Sequence, residues 1–99
     1  MACYDVHNSG SGRGLIVDCQ ADTLRHLNSR FVVPLQLPSI APLAARKLNP
    51  RFDIDGVEHV LVTQFAAAVP LRSLGPVIAS LRDEDSRIKD ALDMLIFGF

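Results

Sequence analysis

The chain has no surplus of charge of either sign. Its 99 residues include ten lysines and arginines and eleven aspartates and glutamates, which gives a net charge of −1. Domains that bind nucleic acids usually carry a basic surplus, so charge alone does not predict binding to DNA or RNA. The apolar fraction of 48% and the charged fraction of 21% are typical of a folded domain. We expect one small domain, residues 1–99, of a size that often gains stability by oligomerisation.

Cysteines and long apolar runs are also scarce. Cys3 and Cys19 are the two cysteines, and no apolar run approaches the length of a membrane-spanning helix. The first residues, MACYDV, lack the basic and apolar regions of a signal peptide. We therefore expect a cytoplasmic protein without a membrane partner. Both thiols should be reduced and half-buried on strands, and a Cys3–Cys19 disulfide is the alternative.

Patterns that mark catalysis or cofactor binding are missing as well. The loop GSGRG at residues 10–14 lacks the spacing of a phosphate-binding loop, and it joins two strands instead of opening a helix. His7, His26 and His59 do not have the spacing of metal ligands. No G-x-S-x-G sequence is present, and turns, caps and a solvated helix face account for the carboxylates. The sequence thus predicts no catalytic residue, no metal and no cofactor.

What the chain does contain is a series of short apolar stretches separated by turn residues. These predict strands at 3–7, 15–19, 31–35, 51–54, 57–64 and 66–71. Asp55-Gly56 predicts a tight hairpin turn, which requires positive φ at both positions. Pro34 should lie at a sheet edge or strand end because it cannot donate to a ladder. We interpret 43–48 as one or two helical turns and 74–78 as a turn.

The last segment predicts a helix, because residues 86–96 include neither glycine nor proline. Asp83 or Asp85 would cap its start, and Gly98 would let the chain leave it. The apolar residues at helical spacing predict a stripe that faces the core: Ile88, Ala91, Leu92, Leu95 and Phe99. Phe97 points away from that stripe. Either a second layer or a dimer partner covers Phe97, or it is an exposed anchor for another protein.

Several short strands followed by one terminal helix predict a mainly β protein, a small barrel or strongly twisted antiparallel sheet with the helix packed on it. Four motifs then resemble one family in order along almost the whole chain. They are VDCQAD at 17–22, RFVVPL at 30–35, AAVP at 67–70 and the C-terminal segment IKDALDMLIFGF at 88–99. Together they resemble the CcdB family, the toxins of bacterial toxin–antitoxin modules.

The resemblance implies an SH3-like antiparallel barrel with one C-terminal helix, assembled as a homodimer. It implies a toxin that binds the A subunit of DNA gyrase, traps the cleaved gyrase–DNA complex and catalyses nothing itself. A cognate antitoxin would neutralise it, and operator DNA would be bound only through the toxin–antitoxin complex, which represses the operon. The implied gyrase-binding residues are Thr23, Leu24, Asp93, Ile96, Phe97, Gly98 and Phe99.

Three tail positions differ from the best-known member of the family, which has Asn, Trp and Ile where this chain has Asp93, Phe97 and Phe99. Two other functions remain open. MazF-type ribonucleases share the fold, but their basic, aromatic N-terminal segment has no counterpart here, and tryptophan is absent. The other possibility is an interaction domain whose tail only closes a dimer. The FGF ending favours gyrase, whereas a basic RNA groove would favour the ribonuclease.

Overall fold

One long strand organises the sheet in the computed structural model, which describes residues 2–9, 14–42 and 45–99. The elements of these residues are β1 (Asp5–Ser9), β2 (Leu15–Asp18), β3 (Ser29–Gln36), β4 (Arg51–Ile54), β5 (Val57–Leu61), β6 (Ala67–Pro70), β7 (Leu74–Ser80) and α1 (Asp85–Phe97). The antiparallel order is β4-β5-β3-β2-β1-β7, and β6 also pairs with β3. The first half of β3 pairs with β6 and its second half with β5. The sheet therefore divides at β3 and curls into a half-barrel. This confirms the predicted mainly β fold.

The prediction for Pro34 was wrong, because this residue lies inside the central strand β3, opposite Ile16 of β2. Its carbonyl accepts a hydrogen bond from the Val62 backbone N–H at 2.9 Å, on the side away from β2. In an antiparallel strand the N–H and C=O of one residue point to the same side. The position of the missing N–H thus faces Val62, whose carbonyl accepts from the Phe65 N–H at 2.9 Å instead.

The hairpin predicted at Asp55-Gly56 is confirmed, and the two strands that the glycine-rich loop joins also pair. Asp55 and Gly56 have φ values of 54° and 84°, so the β4–β5 turn has the positive angles that an Asp-Gly turn supplies. β1 pairs with β2 from Val6↔Val17 to Asn8↔Leu15. The glycine-rich loop at this hairpin's tip lies at 10–13, outside the described residues.

Residues 74–78 were expected to form a turn and instead lie in β7, which pairs with β1 at the sheet edge. Pro76 is compatible with a strand there, because an edge strand has an unpaired side. The first strand starts at Asp5, later than predicted, because Tyr4 adopts φ 70° in a preceding turn. Part of the predicted helical segment 43–48 lies outside the described residues, and 46–48 form a turn.

The helix is confirmed and extends one residue beyond the prediction at each end. Its N-cap position is Glu84, without a side-chain capping bond, so neither predicted aspartate is the cap. A 3₁₀ turn, Arg82–Glu84, leads directly into the helix instead. At the other end Gly98 has φ 83°, which confirms the predicted exit.

The helix covers the open face of the half-barrel with its first turns only. Ile88 and Ala91 are fully buried and Leu92 is half-buried against the same core. Their partners are buried strand residues, among them Val6, Val17, Val33, Leu35, Phe52 and Leu61. The prediction that Leu95 and Phe99 face the core was wrong, since they are 41% and 79% exposed. The helix extends beyond the sheet. Apolar residues at helical spacing in its last turn therefore have no sheet surface to pack against.

Candidate interaction site at the C-terminal tail

Residues 93–99, called the tail below, combine the last turn of α1 with the two residues that follow it. All seven are exposed. The side chains of Ile96 and Phe97 are 63% and 65% exposed. Exposed apolar side chains that lie together mark interaction sites more often than isolated ones do. The tail is therefore the candidate site that the described residues offer most clearly.

Helical spacing brings three of the predicted site residues together. Asp93 lies three residues before Ile96 and four before Phe97, and side chains at these spacings are neighbours on a helix surface. One carboxylate thus lies beside an aliphatic and an aromatic side chain. A partner with a cationic group next to apolar surface would match this arrangement, because a cation over an aromatic ring is attracted to its face.

Gly98 ends the helix within the tail. Its N–H donates to the carbonyls of Asp93 and Met94 at 3.2 and 3.1 Å, which satisfies acceptors that the helix end leaves unpaired. A Cβ built at this glycine meets nothing within 4 Å. The backbone conformation of Gly98 therefore calls for glycine, while the space around it is open.

The other two predicted site residues lie elsewhere on the chain. Thr23 and Leu24 belong to a 3₁₀ turn, Asp22–Leu24, that precedes β3, and both are exposed. A buried ion pair lies at the base of the loop that joins β2 to β3 and contains this turn, with Arg30 Nε 3.4 Å from the Asp18 carboxylate. The Arg30 guanidinium also donates to the carbonyl of Arg25 at 2.7 Å. The loop is thus fixed by polar contacts from below.

Burial raises the pKa of Asp18, against the backbone N–H of Gln20 and the charge of Arg30, which favour the ionised form. Desolvation of a buried carboxylate commonly outweighs the attraction of its partner. Arg30 is itself 3% exposed, so each buried charge depends on the other for its stabilisation. This pair is a structural feature that fixes the loop in one position.

Gln20 is the second support of the loop. Its Nε2 donates to the carbonyls of Leu24 and Ser29 at 3.0 and 3.1 Å, and its Oε1 accepts from the Phe31 N–H at 3.1 Å. One side chain therefore joins both ends of the loop to β3. The sequence pattern 17–22 and 30–35 contains Asp18, Gln20 and Arg30, but single-sequence reasoning did not identify them as the residues that position Thr23 and Leu24.

Within the single chain, the two parts of the predicted site lie toward opposite ends of α1. Asp22 Oδ1 accepts from the Cys3 N–H at 2.8 Å, and the hydroxyl of the neighbouring Tyr4 lowers the pKa of Asp85 at the start of the helix. The tail lies at the other end, about 18 Å along the helix axis at 1.5 Å per residue. Among the described residues, no hydrogen bond or ion pair joins the 22–24 turn to the tail.

The two thiols are half-buried and free. Neither lies within a strand, contrary to that part of the prediction, because Cys3 precedes β1 and Cys19 follows β2. Burial raises the pKa of both thiols, which disfavours the reactive thiolate. In the described part of the chain, no three His, Cys, Asp or Glu side chains lie together as metal ligands would, and no helix is long and apolar enough to cross a membrane.

The described residues form a curled antiparallel half-barrel, covered by a helix that ends in an exposed apolar tail. A family model described as CcdB protein matches residues 3–98, and the chain belongs to the CcdB family. This family comprises gyrase-poisoning toxins of toxin–antitoxin modules, which are not enzymes themselves. The match covers the 17–35 segment and the tail as far as Gly98.

Proposed function

We propose that this protein is a gyrase poison that binds the A subunit of DNA gyrase through its tail and traps the cleaved gyrase–DNA complex. The observation that carries the proposal is the exposure of Phe97, which projects from the last turn of α1 beside Ile96 and Asp93. In this arrangement Phe97 is the anchor, and Gly98 leaves room for the backbone of the partner. Asp93 supplies a charge that favours an incoming arginine.

Thr23, Leu24 and Phe99 complete the proposed gyrase-binding set. In a homodimer the tails of two protomers lie side by side, and one gyrase arginine packs between the two Phe97 rings. The family resemblance supports this assembly, and so does the apolar surface that the single chain leaves exposed at Leu95. The protein acts in the cytoplasm, where a cognate antitoxin releases it from gyrase and joins it in repressing the operon.

A supercoiling and cleavage assay with purified gyrase tests the proposal. We expect the protein to inhibit supercoiling and to accumulate cleaved DNA, and we expect Phe97→Ala to abolish both effects while remaining folded. Phe65→Ala is a matched control, because Phe65 is 51% exposed on another turn. The proposal fails if the native protein neither inhibits gyrase nor binds its A subunit. It also fails if both variants lose activity equally.

If Phe97→Ala unfolds the protein or disrupts a dimer, the tail serves assembly and not target binding. Circular dichroism and sedimentation velocity on the same preparation separate these outcomes. Ribonuclease activity on single-stranded RNA is the corresponding test of a MazF-like function.

A further inference from the structure

The lining of a second concave site includes none of the proposed gyrase-binding residues. The site is a cavity of about 500 Å³ between the turn at 45–50, the start of β4 and the first half of α1. The lining consists of four cationic residues, one carboxylate and two further residues: Arg46, Lys47, Arg51, Arg87, Asp90, Asn49 and Pro50. Outside the cavity the chain has six basic residues against ten acidic ones, since four cations and Asp90 line it. Positive charge is therefore concentrated at this cavity.

Two of the four cations, Arg51 and Arg87, are held by contacts with neighbouring residues. The Arg87 guanidinium stacks 4.5 Å from the centre of the Phe52 ring and donates to the Arg51 carbonyl at 2.7 Å. Arg87 and Arg51 are also paired with Glu84 at 3.3 Å and Glu58 at 3.1 Å. Because these two arginines already have acidic partners, they contribute to the shape of the cavity more than to its unpaired positive charge.

The turn that carries the other two cations is also fixed. The buried Asn49 side chain donates to the carbonyl of Leu61 at 3.0 Å and to Gln64 at 2.7 Å, and its Oδ1 accepts from the Ala45 N–H at 3.0 Å. Arg46 and Lys47 therefore project from a preformed turn. Within the described residues neither of them forms an ion pair, so both are available to an anionic ligand.

We propose that this cavity binds carboxylate side chains of an acidic polypeptide segment, with Arg46 and Lys47 as the residues that pair with them. The flanking carboxylates of Glu58, Glu84 and Asp90 argue against a nucleic-acid backbone, because a polyanion would meet repulsion on either side of the cavity. A short acidic group can enter between them. Binding to a phosphate backbone also depends on rows of cations, which a single concave site does not provide.

The surface next to the cavity also favours a polypeptide. Asp90, Met94 and Phe97 follow one another at spacings of four and three residues, so they lie on one face of α1. Met94 and Phe97 are both exposed, and Phe97 is about 10 Å along the axis from Asp90. A segment with acidic residues in the cavity would place apolar side chains against this face. A free phosphate ion would make no use of it.

The test measures binding of a fluorescein-labelled Glu/Leu dodecamer by anisotropy, with its Gln/Leu counterpart and a labelled DNA duplex as comparison probes. We expect the native protein to prefer the Glu/Leu peptide. The double variant Arg46→Gln/Lys47→Gln should weaken that binding about tenfold, as expected for the loss of two partly exposed ion pairs. Arg72→Gln/Arg82→Gln is the matched control, since it removes the same charge from residues outside the cavity.

Equal weakening by both double variants would mean attraction by overall charge and would overturn the proposal. Equal affinity for the Glu/Leu and Gln/Leu peptides would also overturn it. Preference for the DNA duplex, lost in Arg46→Gln/Lys47→Gln, would reassign the cavity to nucleic acid. Peptide binding is measured without gyrase, so the proposal does not depend on the gyrase target.

Discussion

At the scale of single residues, two glycines are required for different physical reasons. A Cβ built at Gly75 would lie 2.5 Å from the Asn8 carbonyl oxygen, where β7 approaches β1. Gly98 has open space but a left-handed backbone. Close packing between two strands leaves no room to relax, whereas a left-handed alanine costs only its local conformational energy.

We therefore expect Gly75→Ala to lower the free energy of unfolding by about 1–3 kcal/mol, the usual effect of forcing an extra carbon into packed structure. Gly98→Ala should cost about 1 kcal/mol. Urea denaturation followed by circular dichroism measures both values. If Gly98→Ala were the more damaging variant, the strand contact at Asn8 would not be the tighter constraint.

A pH-dependent contact links the start of the chain to the helix. The Tyr4 hydroxyl and the Lys89 ammonium lower the pKa of Asp85 below its usual 3.8, with the hydroxyl as the main cause. A depressed folded-state pKa stabilises the protein above the unfolded-state value, and this contribution is lost as the pH falls through the folded-state pKa. Tyr4→Phe should therefore be less stable than the native protein at pH 7, and the difference should shrink below pH 3.8.

Thermal unfolding of both proteins between pH 7 and pH 2 checks this expectation. Lys89→Gln is the control, because it removes the ion pair with Asp85 at 3.2 Å and retains the hydroxyl. A difference between Tyr4→Phe and the native protein that stays constant across this range would show that Tyr4 stabilises through packing alone.

At the scale of elements, the loop before β3 depends on the buried pair of Asp18 and Arg30. Arg30→Met should destabilise the protein by about 3–5 kcal/mol, because it leaves a buried carboxylate without its partner. The double variant Asp18→Asn/Arg30→Met should cost less than the sum of the two single variants. Hydrogen exchange at 20–28 should rise in Arg30→Met before global unfolding. Strictly additive costs would show that the two side chains act independently.

The elements that local patterns specify were predictable from the sequence. Asp55-Gly56 specified its hairpin, and the helical spacing from Ile88 onward specified α1, because turn angles and periodicity are properties of neighbouring residues. The strand assignment of 74–78 and the location of Pro34 depend on which strands pair at distant positions. Local propensity does not contain that information, since tertiary pairing overrides it.

The same distinction applies to the candidate sites. The direction of Phe97, away from the core-facing stripe, followed from counting helical positions. The exposure of Leu95 and Phe99 did not, because it depends on how far the sheet extends beneath the helix. The basic cavity combines Arg46 and Lys47 with residues of β4 and α1, which are separated along the chain. No single stretch of sequence shows that they converge.

At the scale of the whole molecule, the proposed complex makes Phe97 an aromatic platform for an arginine and not merely an apolar contact. An aromatic ring attracts a guanidinium through its face, tryptophan more strongly than phenylalanine, and an aliphatic side chain offers no such face. The series Phe97→Trp and Phe97→Leu therefore separates the two kinds of contact. Position 97 is exposed, so neither change disturbs the core.

We expect Phe97→Trp to inhibit gyrase at least as strongly as the native protein. Phe97→Leu should bind the gyrase A subunit about 5- to 30-fold more weakly, which corresponds to about 1–2 kcal/mol of lost cation–π attraction. Isothermal titration calorimetry with the isolated A subunit measures both affinities, and sedimentation velocity confirms that each variant has the native oligomeric state. If Phe97→Leu binds as tightly as the native protein, apolar burial accounts for the anchor. An arginine between two rings would then no longer describe the complex.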